Sequence, residues 1–417
     1  MGANQISIRQ LDLVLHRNTS TESPTVAAMG DQALDDDAAN AANAANISWQ
    51  RGVFDAHCHP TDTMSSIDHL PAMKAKVLTI MATRREDQAL VDQVAARFPL
   101  SDTDEYKHSA SKFVVPAFGW HPWFSYQMFD DRSAYEIPDA MTHYKTVLTP
   151  KVEDVAFLKT LPEPLSLAQF LTETEARLRK HPFALVGEVG LDKSFRLPQE
   201  WLPDEAQSRD PSLTPGSREG RRLSPYRVQL AHQKVILEAQ LRLAGKLGRP
   251  ASVHSVQAHG AVHEVLQSLW AGHEKMSSRQ KKRRSSAAGA HAADDEDKIH
   301  QGPSSPLPFP PRICMHSYSG PADFLREFLN HKVPIDVYFS FSDVINFSGP
   351  SSEKAIDVVK AIPDSKILIE SDLHRAGAEM DGRLGSAFQR VCDIKKWSYE
   401  RGAEILGRNW RCFVFGS

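Results

Sequence analysis

Eight short apolar runs recur along the chain: "VFDAHCH" from 53, "KVLTIMAT" from 76, "KFVVPAFGWHPW" from 112, "FALVGEVGLD" from 183, "PASVHSV" from 250, "RICMHSYSG" from 312, "PIDVYFSFS" from 334 and "KILIESD" from 366. Most are separated by stretches with apolar residues at spacings of three and four, such as "EDQALVDQVAARF" and "RVQLAHQKVILEAQLRLAGKL". That periodicity predicts amphipathic helices between strands. The strands are apolar throughout rather than alternating, which suits a parallel sheet covered by helices. Eight strands alternating with helices predict an α/β fold of the (β/α)8 TIM-barrel type; an open doubly wound sheet is the alternative.

Three polar stretches interrupt the pattern. Residues 1–50 read as a disordered or loosely ordered leader, with "DDDAANAANAANIS" inside it. Insertions run from about 196 to 225 and from 277 to 311, the second low in complexity and carrying a basic block before an acidic one. Residues 51–417 are then the barrel domain. "KKRR" at 281–284 has the form of a nuclear-import signal; a solvated loop with self-compensating charges is the simpler reading.

Composition narrows the setting. With 41% hydrophobic residues, 24% charged residues and a net charge of −3, the chain has no global attraction for nucleic acid or anionic membrane. A polyanionic substrate needs a local site. Cys58, Cys314, Cys392 and Cys412 form no CxxC pair, as expected in a reducing compartment. No apolar stretch approaches the roughly 20 residues that span a bilayer. The start "MGANQISIRQ" is a near miss for myristoylation, with Ile6 where Ser or Thr is required. A cytoplasmic or nuclear location without membrane attachment is expected, and the sequons at Asn18 and Asn46 then carry no meaning.

The candidate chemistry lies where the strands end. His57 and His59 are two apart, so they share a strand face, with Asp55 on the same side. Strand three ends in His121, strand four in Glu188 and Asp192, strand five in His254, strand six in His316 and strand eight in Glu370 and Asp372. Barrel active sites are assembled from several strands at their C-terminal ends. Imidazoles and carboxylates converging on one rim indicate one or two divalent ions, with zinc or manganese fitting better than calcium. Such ions activate water, and Asp372 could take its proton. Metal-assisted hydrolysis is the expected reaction class.

The ordered series "DAHCH", "GWHPW", "VGEVGLD", "VHS", "MHSYSG", "YFSFS" and "LIESD" resembles the TatD family of metal-dependent hydrolases, within the amidohydrolase superfamily. The resemblance implies a TIM barrel with one or two ions, Mg²⁺, Mn²⁺ or Zn²⁺. It implies that His57, His59, Glu188 and Asp372 hold one ion, and that Glu188 bridges to a second held by His254 and His316. Asp372 would double as general base and His121 would face substrate. The implied activity is cleavage of DNA phosphodiesters, 3′-to-5′ exonuclease-like, on single strands or DNA ends. No lysine stands at the Glu188 position, unlike amidohydrolases bridged by a carbamylated lysine; Lys193 lies beyond it. Two departures bear on substrate: Val256 replaces the arginine common after "HS", and Ser371 and Leu373 alter the last motif. The insertions and "HSVQAHG" resemble a fungal branch, some of whose members are described as partners of a cell-cycle ubiquitin-ligase subunit. Hydrolysis of another amide, ester or small phosphate, or a protein-binding barrel with little catalysis, are the alternatives.

Other polar and aromatic residues have plainer expected roles. Trp120, Trp123 and Phe124 read as rim packing, Asp192 as closing the turn after strand four, and Cys58 as packing on the opposite strand face. His259 and His263 read as satisfied surface or core residues. His374 is divided between the surroundings of the site and solvent.

Overall fold

A computed structural model of the protein describes Trp49 and residues 53–132, 138–202, 204–217, 219–276, 306–349 and 352–416. The rest of the leader, Asn18, Asn46, and the basic and acidic blocks within 277–305 lie outside the described residues.

The eight strands are β1 (Asp55–Cys58), β2 (Val77–Met81), β3 (Phe113–Phe118), β4 (Leu185–Asp192), β5 (Ala251–Val256), β6 (Arg312–Met315), β7 (Asp336–Ser342) and β8 (Ile367–Glu370). They form one sheet in sequence order, every neighbouring pair parallel. The end of the β8 segment returns to β1: the Asp372 N–H donates to the His57 carbonyl at 3.0 Å, and the His59 N–H donates to the Leu373 carbonyl at 2.8 Å. The sheet is therefore a nearly closed (β/α)8 barrel, and the open-sheet alternative is excluded by these contacts.

The longer helices are α1 (Arg85–Arg97), α2 (Leu167–Lys180), α3 (Leu230–Lys246), α4 (His259–Trp270), α5 (Ser352–Ala361), α6 (Ala378–Lys395) and α7 (Tyr399–Val414). Their apolar faces meet one side of the strands. Leu78, Ile80, Val114, Val186 and Val253 pack in one cluster with Val91, Leu241, Val262 and Val358. Alternate strand residues, including Val77, Met81, Val115, Ala117, Leu185, Cys314 and Leu368, form a second cluster with Trp410 and Phe413 of α7. Burying side chains of this size stabilises the fold by roughly 1.5–3 kcal/mol each relative to exposure. Cys58 lies in the strand–helix layer with its thiol near the Thr79 carbonyl, on the face opposite the imidazoles as expected.

The 196–225 insertion is more structured than its polar composition suggests. Its two arms pair through the Pro198–Leu223 bridge and the Gln199 N–H to Arg222 carbonyl bond, 2.7 Å. Its far end crosses to the β1 and β2 rim, where Thr214 donates its N–H to the Asp62 carbonyl at 2.8 Å and its hydroxyl to the Thr61 carbonyl at 2.6 Å. Arg84 holds the same turn through the Thr214 and Pro215 carbonyls. These anchors come from residues over a hundred positions away, so no local pattern announces them.

Candidate metal centre

The rim at the C-terminal strand ends carries a buried polar cluster organised around Glu188. Position 188 lies where β4 runs unusually close to β5. A side chain at Gly190 would place its first carbon 2.0 Å from the His254 carbonyl oxygen, so only glycine allows this approach. It brings Glu188 and His254 into contact.

One Glu188 oxygen, Oε2, faces β1 and β8. It lies 3.3 Å from His57 Nε2 and 3.5 Å from His59 Nε2. Those two nitrogens are 3.1 Å apart, and Asp372 Oδ1 is 3.4 Å from His59 Nε2 and 3.9 Å from His57 Nε2. Four ligand atoms about 2.1 Å from a tetrahedral ion stand about 3.4 Å apart. This half of the site already has that spacing. His57 is fixed from behind by Ser252 Oγ, 2.9 Å from its Nδ1, and its ring stacks on His316 at 3.9 Å. A proton on Nδ1 toward Ser252 leaves the Nε2 lone pair facing the cluster.

The other oxygen, Oε1, faces β3, β5 and β6. It lies 2.7 Å from His316 Nε2, 2.8 Å from His254 Nδ1 and 3.1 Å from His121 Nε2. His254 Nδ1 and His316 Nε2 are 3.2 Å apart. These are hydrogen-bond separations, tighter than the first half. His121 has a defined tautomer: its Nδ1 accepts the Trp123 N–H at 3.2 Å, so Nε2 carries the proton and donates to Glu188. In this tautomer His121 is a donor rather than a ligand.

The remaining residues support the cluster. Asp192 Oδ1 accepts the Ser194 and Phe195 N–H groups at 2.7 and 2.9 Å, closing the turn after β4 as its position suggests. Its Oδ2 does more, meeting His254 Nε2 at 3.2 Å and the Trp123 indole N–H at 2.6 Å. Glu370, on the rim by its strand-end position but without an expected role, is fully buried. It accepts the Ser317 N–H at 2.8 Å and the Ser317 and Ser340 hydroxyls, and lies 3.5 Å from His316 Nδ1. The two carboxylates in "ESD" were the available signal. Asp55 does not join the cluster; it accepts the backbone N–H groups of His57 and Ser371 at 3.1 and 3.0 Å and ties β1 to β8. Trp120 and Phe124 are buried in rim packing, with Trp123 partly buried beside them. His259 packs on Tyr318 and His263 on Trp270 and Phe328, although His259 Nδ1 is buried without a hydrogen-bond partner. His374 belongs to the surroundings of the site: its Nδ1 is 2.8 Å from Asp62 Oδ2 and its ring stacks near His59 at 5.4 Å.

The charges of the cluster follow from burial set against neighbours. Burial disfavours the Glu188 charge, but His121, His316 and His57 hold its carboxyl well below the usual range. Burial also opposes the His59 charge, yet Asp372, Glu188 and Asp62 carry it up to about 9. Asp372 and Asp192 are each drawn down to about 2, against burial, by the imidazoles they face. His121 goes the other way, burial pushing it down to about 4 despite Glu188. Burial likewise lowers His57, with His316 adding to the effect. A carboxylate this buried and this ionised needs cations on both sides. Imidazolium protons can supply them, and the donor set fits divalent ions in their place.

A family model described as TatD-related DNase matches residues 54–414, nearly the whole barrel. The chain belongs to the TatD family. It is a hydrolase of a metal-dependent family, and its histidine–carboxylate groups can hold metal. Among curated relatives, the Cut9-interacting protein scn1 of Schizosaccharomyces pombe is 34% identical over 366 residues, covering 87% of this chain and 98% of that protein. The "uncharacterized deoxyribonuclease YMR262W" of Saccharomyces cerevisiae is 25% identical over 327 residues, covering 77% and 83%. The crystal structure of the TatD homolog YjjV from Escherichia coli K12 aligns with a TM-score of 0.46 at 18% identity, covering 88% of this chain and 98% of that one. Among the described residues no helix is long and apolar enough to cross a membrane.

Proposed function

We propose that residues 51–417 form one catalytic domain that hydrolyses DNA phosphodiesters from chain ends in the 3′-to-5′ direction. One observation carries the reading: the two oxygens of Glu188 face two adjacent groups of ligand-type atoms, His57, His59 and Asp372 on one side and His254 and His316 on the other. A shared carboxylate between two such groups suits in-line displacement at phosphorus. When bound there, Mg²⁺, Mn²⁺ or Zn²⁺ would lower the pKa of a water and neutralise charge building on the phosphoryl oxygens.

The chain's own groups divide the remaining work. The Asp372 side chain is 13% exposed against 0% and 8% for His57 and His59, so it is the carboxylate of this half that solvent reaches. It accepts the proton of the attacking water. Its backbone φ of +55° is held by the Asp372 N–H to His57 bond, which fixes the carboxylate beside both β1 imidazoles. His121 stays neutral with Nε2–H directed into the cluster, so it donates to a phosphoryl oxygen without adding charge.

End-labelled single-stranded DNA, incubated with the metal-stripped protein and each ion in turn, tests the reading. Stepwise shortening that requires metal and vanishes in a His57→Ala/His59→Ala variant supports it. Intact DNA with metal still bound would move the substrate to another ester, amide or small phosphate, a reading favoured by Val256 at the end of β5. The name of the 34%-identical relative, a Cut9-interacting protein, favours a second role, binding a protein partner. Pull-down with the ligand-free variant separates that role from catalysis. A cytoplasmic or nuclear location accords with either.

A further inference from the structure

We propose that Trp123 is a positioning residue for the second ion site, acting through Asp192 on His254. The proposal rests on the two-ion reading above and concerns residues that the strand-end pattern leaves as rim packing and turn closure. Asp192 is an acceptor on every side: Oδ1 takes the Ser194 N–H and hydroxyl and the Phe195 N–H, and Oδ2 takes the Trp123 indole N–H at 2.6 Å. Such a carboxylate is ionised and has no proton to give. The His254 nitrogen it meets at 3.2 Å, Nε2, is therefore the donor. The opposite nitrogen, Nδ1, is then the one that faces Glu188 Oε1 and, once its proton has passed to solvent, can offer its lone pair to a metal.

The anchor is built from both ends. Gln233 of α3 grips the Asp192 backbone, its Oε1 accepting the Asp192 N–H at 2.8 Å and its Nε2 donating to the carbonyl at 2.9 Å. Trp123 is clamped by stacking on Phe195 at 4.7 Å and 10° between planes. Side chain and backbone of Trp123 have separable roles: the backbone N–H sets the His121 tautomer, while the indole N–H reaches Asp192. Phenylalanine at 123 keeps the stack and the backbone donor and deletes only the indole N–H.

Calorimetric titration of the metal-stripped full chain with Co²⁺, with the cobalt absorption band followed in parallel, tests this. Groups supporting a metal ligand typically contribute about 10–100-fold in affinity. Trp123→Phe is expected to weaken the second binding step by about that range, shift the band of that step and leave the first step unchanged. Asp192→Asn, which presents an amide to one of its donors, is expected to weaken the second step further. Unchanged affinities and spectra in Trp123→Phe would overturn the proposal. So would equal weakening of both steps, which denotes general loosening. A single step in the wild type would overturn the two-ion reading and the proposal with it. Two steps without DNA cleavage would leave the proposal standing and remove only the substrate.

Discussion

The two halves of the cluster share Glu188 yet differ in readiness. On the β1–β8 side the ligand atoms stand 3.1–3.9 Å apart, close to the spacing around a tetrahedral ion. On the β5–β6 side they stand 2.7–3.2 Å apart, at hydrogen-bond separations. The difference follows from how each half is held. His57 is braced by Ser252 and stacked on His316, and Asp372 is fixed by the strand closure. His254 and His316 face a single oxygen, and against burial both are driven toward the protonated form, His254 by Asp192 and Glu188 and His316 by Glu188 and Glu370. On the two-ion reading, the first half is expected to accept an ion with little movement, whereas the second must lose protons and widen toward tetrahedral spacing, so its ion is predicted to bind more weakly and with a steeper pH dependence.

The largest effect that separates shared from private ligands is expected at Glu188. Glu188→Gln removes the carboxylate common to both halves, and metal analysis after dialysis should find both ions lost and hydrolysis at background. Retention of one ion would show that the halves are independent. Next, Asp372→Asn should lower kcat by roughly 10²–10⁴, the usual contribution of a general base, and weaken the first ion while sparing the second. Steady-state kinetics beside a two-step metal titration would show both. His254→Ala should abolish only the weaker step, leaving a single-step titration with the wild-type first affinity.

A smaller effect distinguishes the halves by pH in the metal-free protein. His59 is raised from 6.5 to about 9, so its contribution to stability is complete below 6.5 and lost as pH rises through 9. His121 is lowered to about 4, so the unfolded chain takes up a proton first and stability falls as pH drops from 6.5 toward 4. Melting temperatures across this range should show the alkaline loss shrink in His59→Gln and the acid loss shrink in His121→Gln. The same loss in both variants would contradict the charge assignment.

The barrel was legible because every strand is an apolar run, and six of the eight carry a ligand-type residue at the C-terminal end. The eight segments from "VFDAHCH" to "KILIESD" all become strands in order. The positions of His57, His59, Glu188, His254, His316 and Asp372 around one point follow from that order, since parallel strands deliver their ends to the same rim. What the sequence left unread is long-range and directional. Asp192 and Gly190 look like turn residues until β5 lies beside them. Glu370 and Ser252 act only across the barrel. Thr214 is an unremarked polar residue until the Arg84 and Asp62 contacts hold it on the rim. No periodicity encodes which nitrogen of His254 faces Glu188, because a hydrogen bond from another strand decides it.

Crystals grown with Mn²⁺ and measured for anomalous scattering test the central claim most directly. Two peaks, one on each side of Glu188, with His57, His59 and Asp372 around the first and His254 and His316 around the second, are predicted; as manganese is reduced, the second should fade first. A single peak, or one away from Glu188, would contradict the shared-carboxylate account.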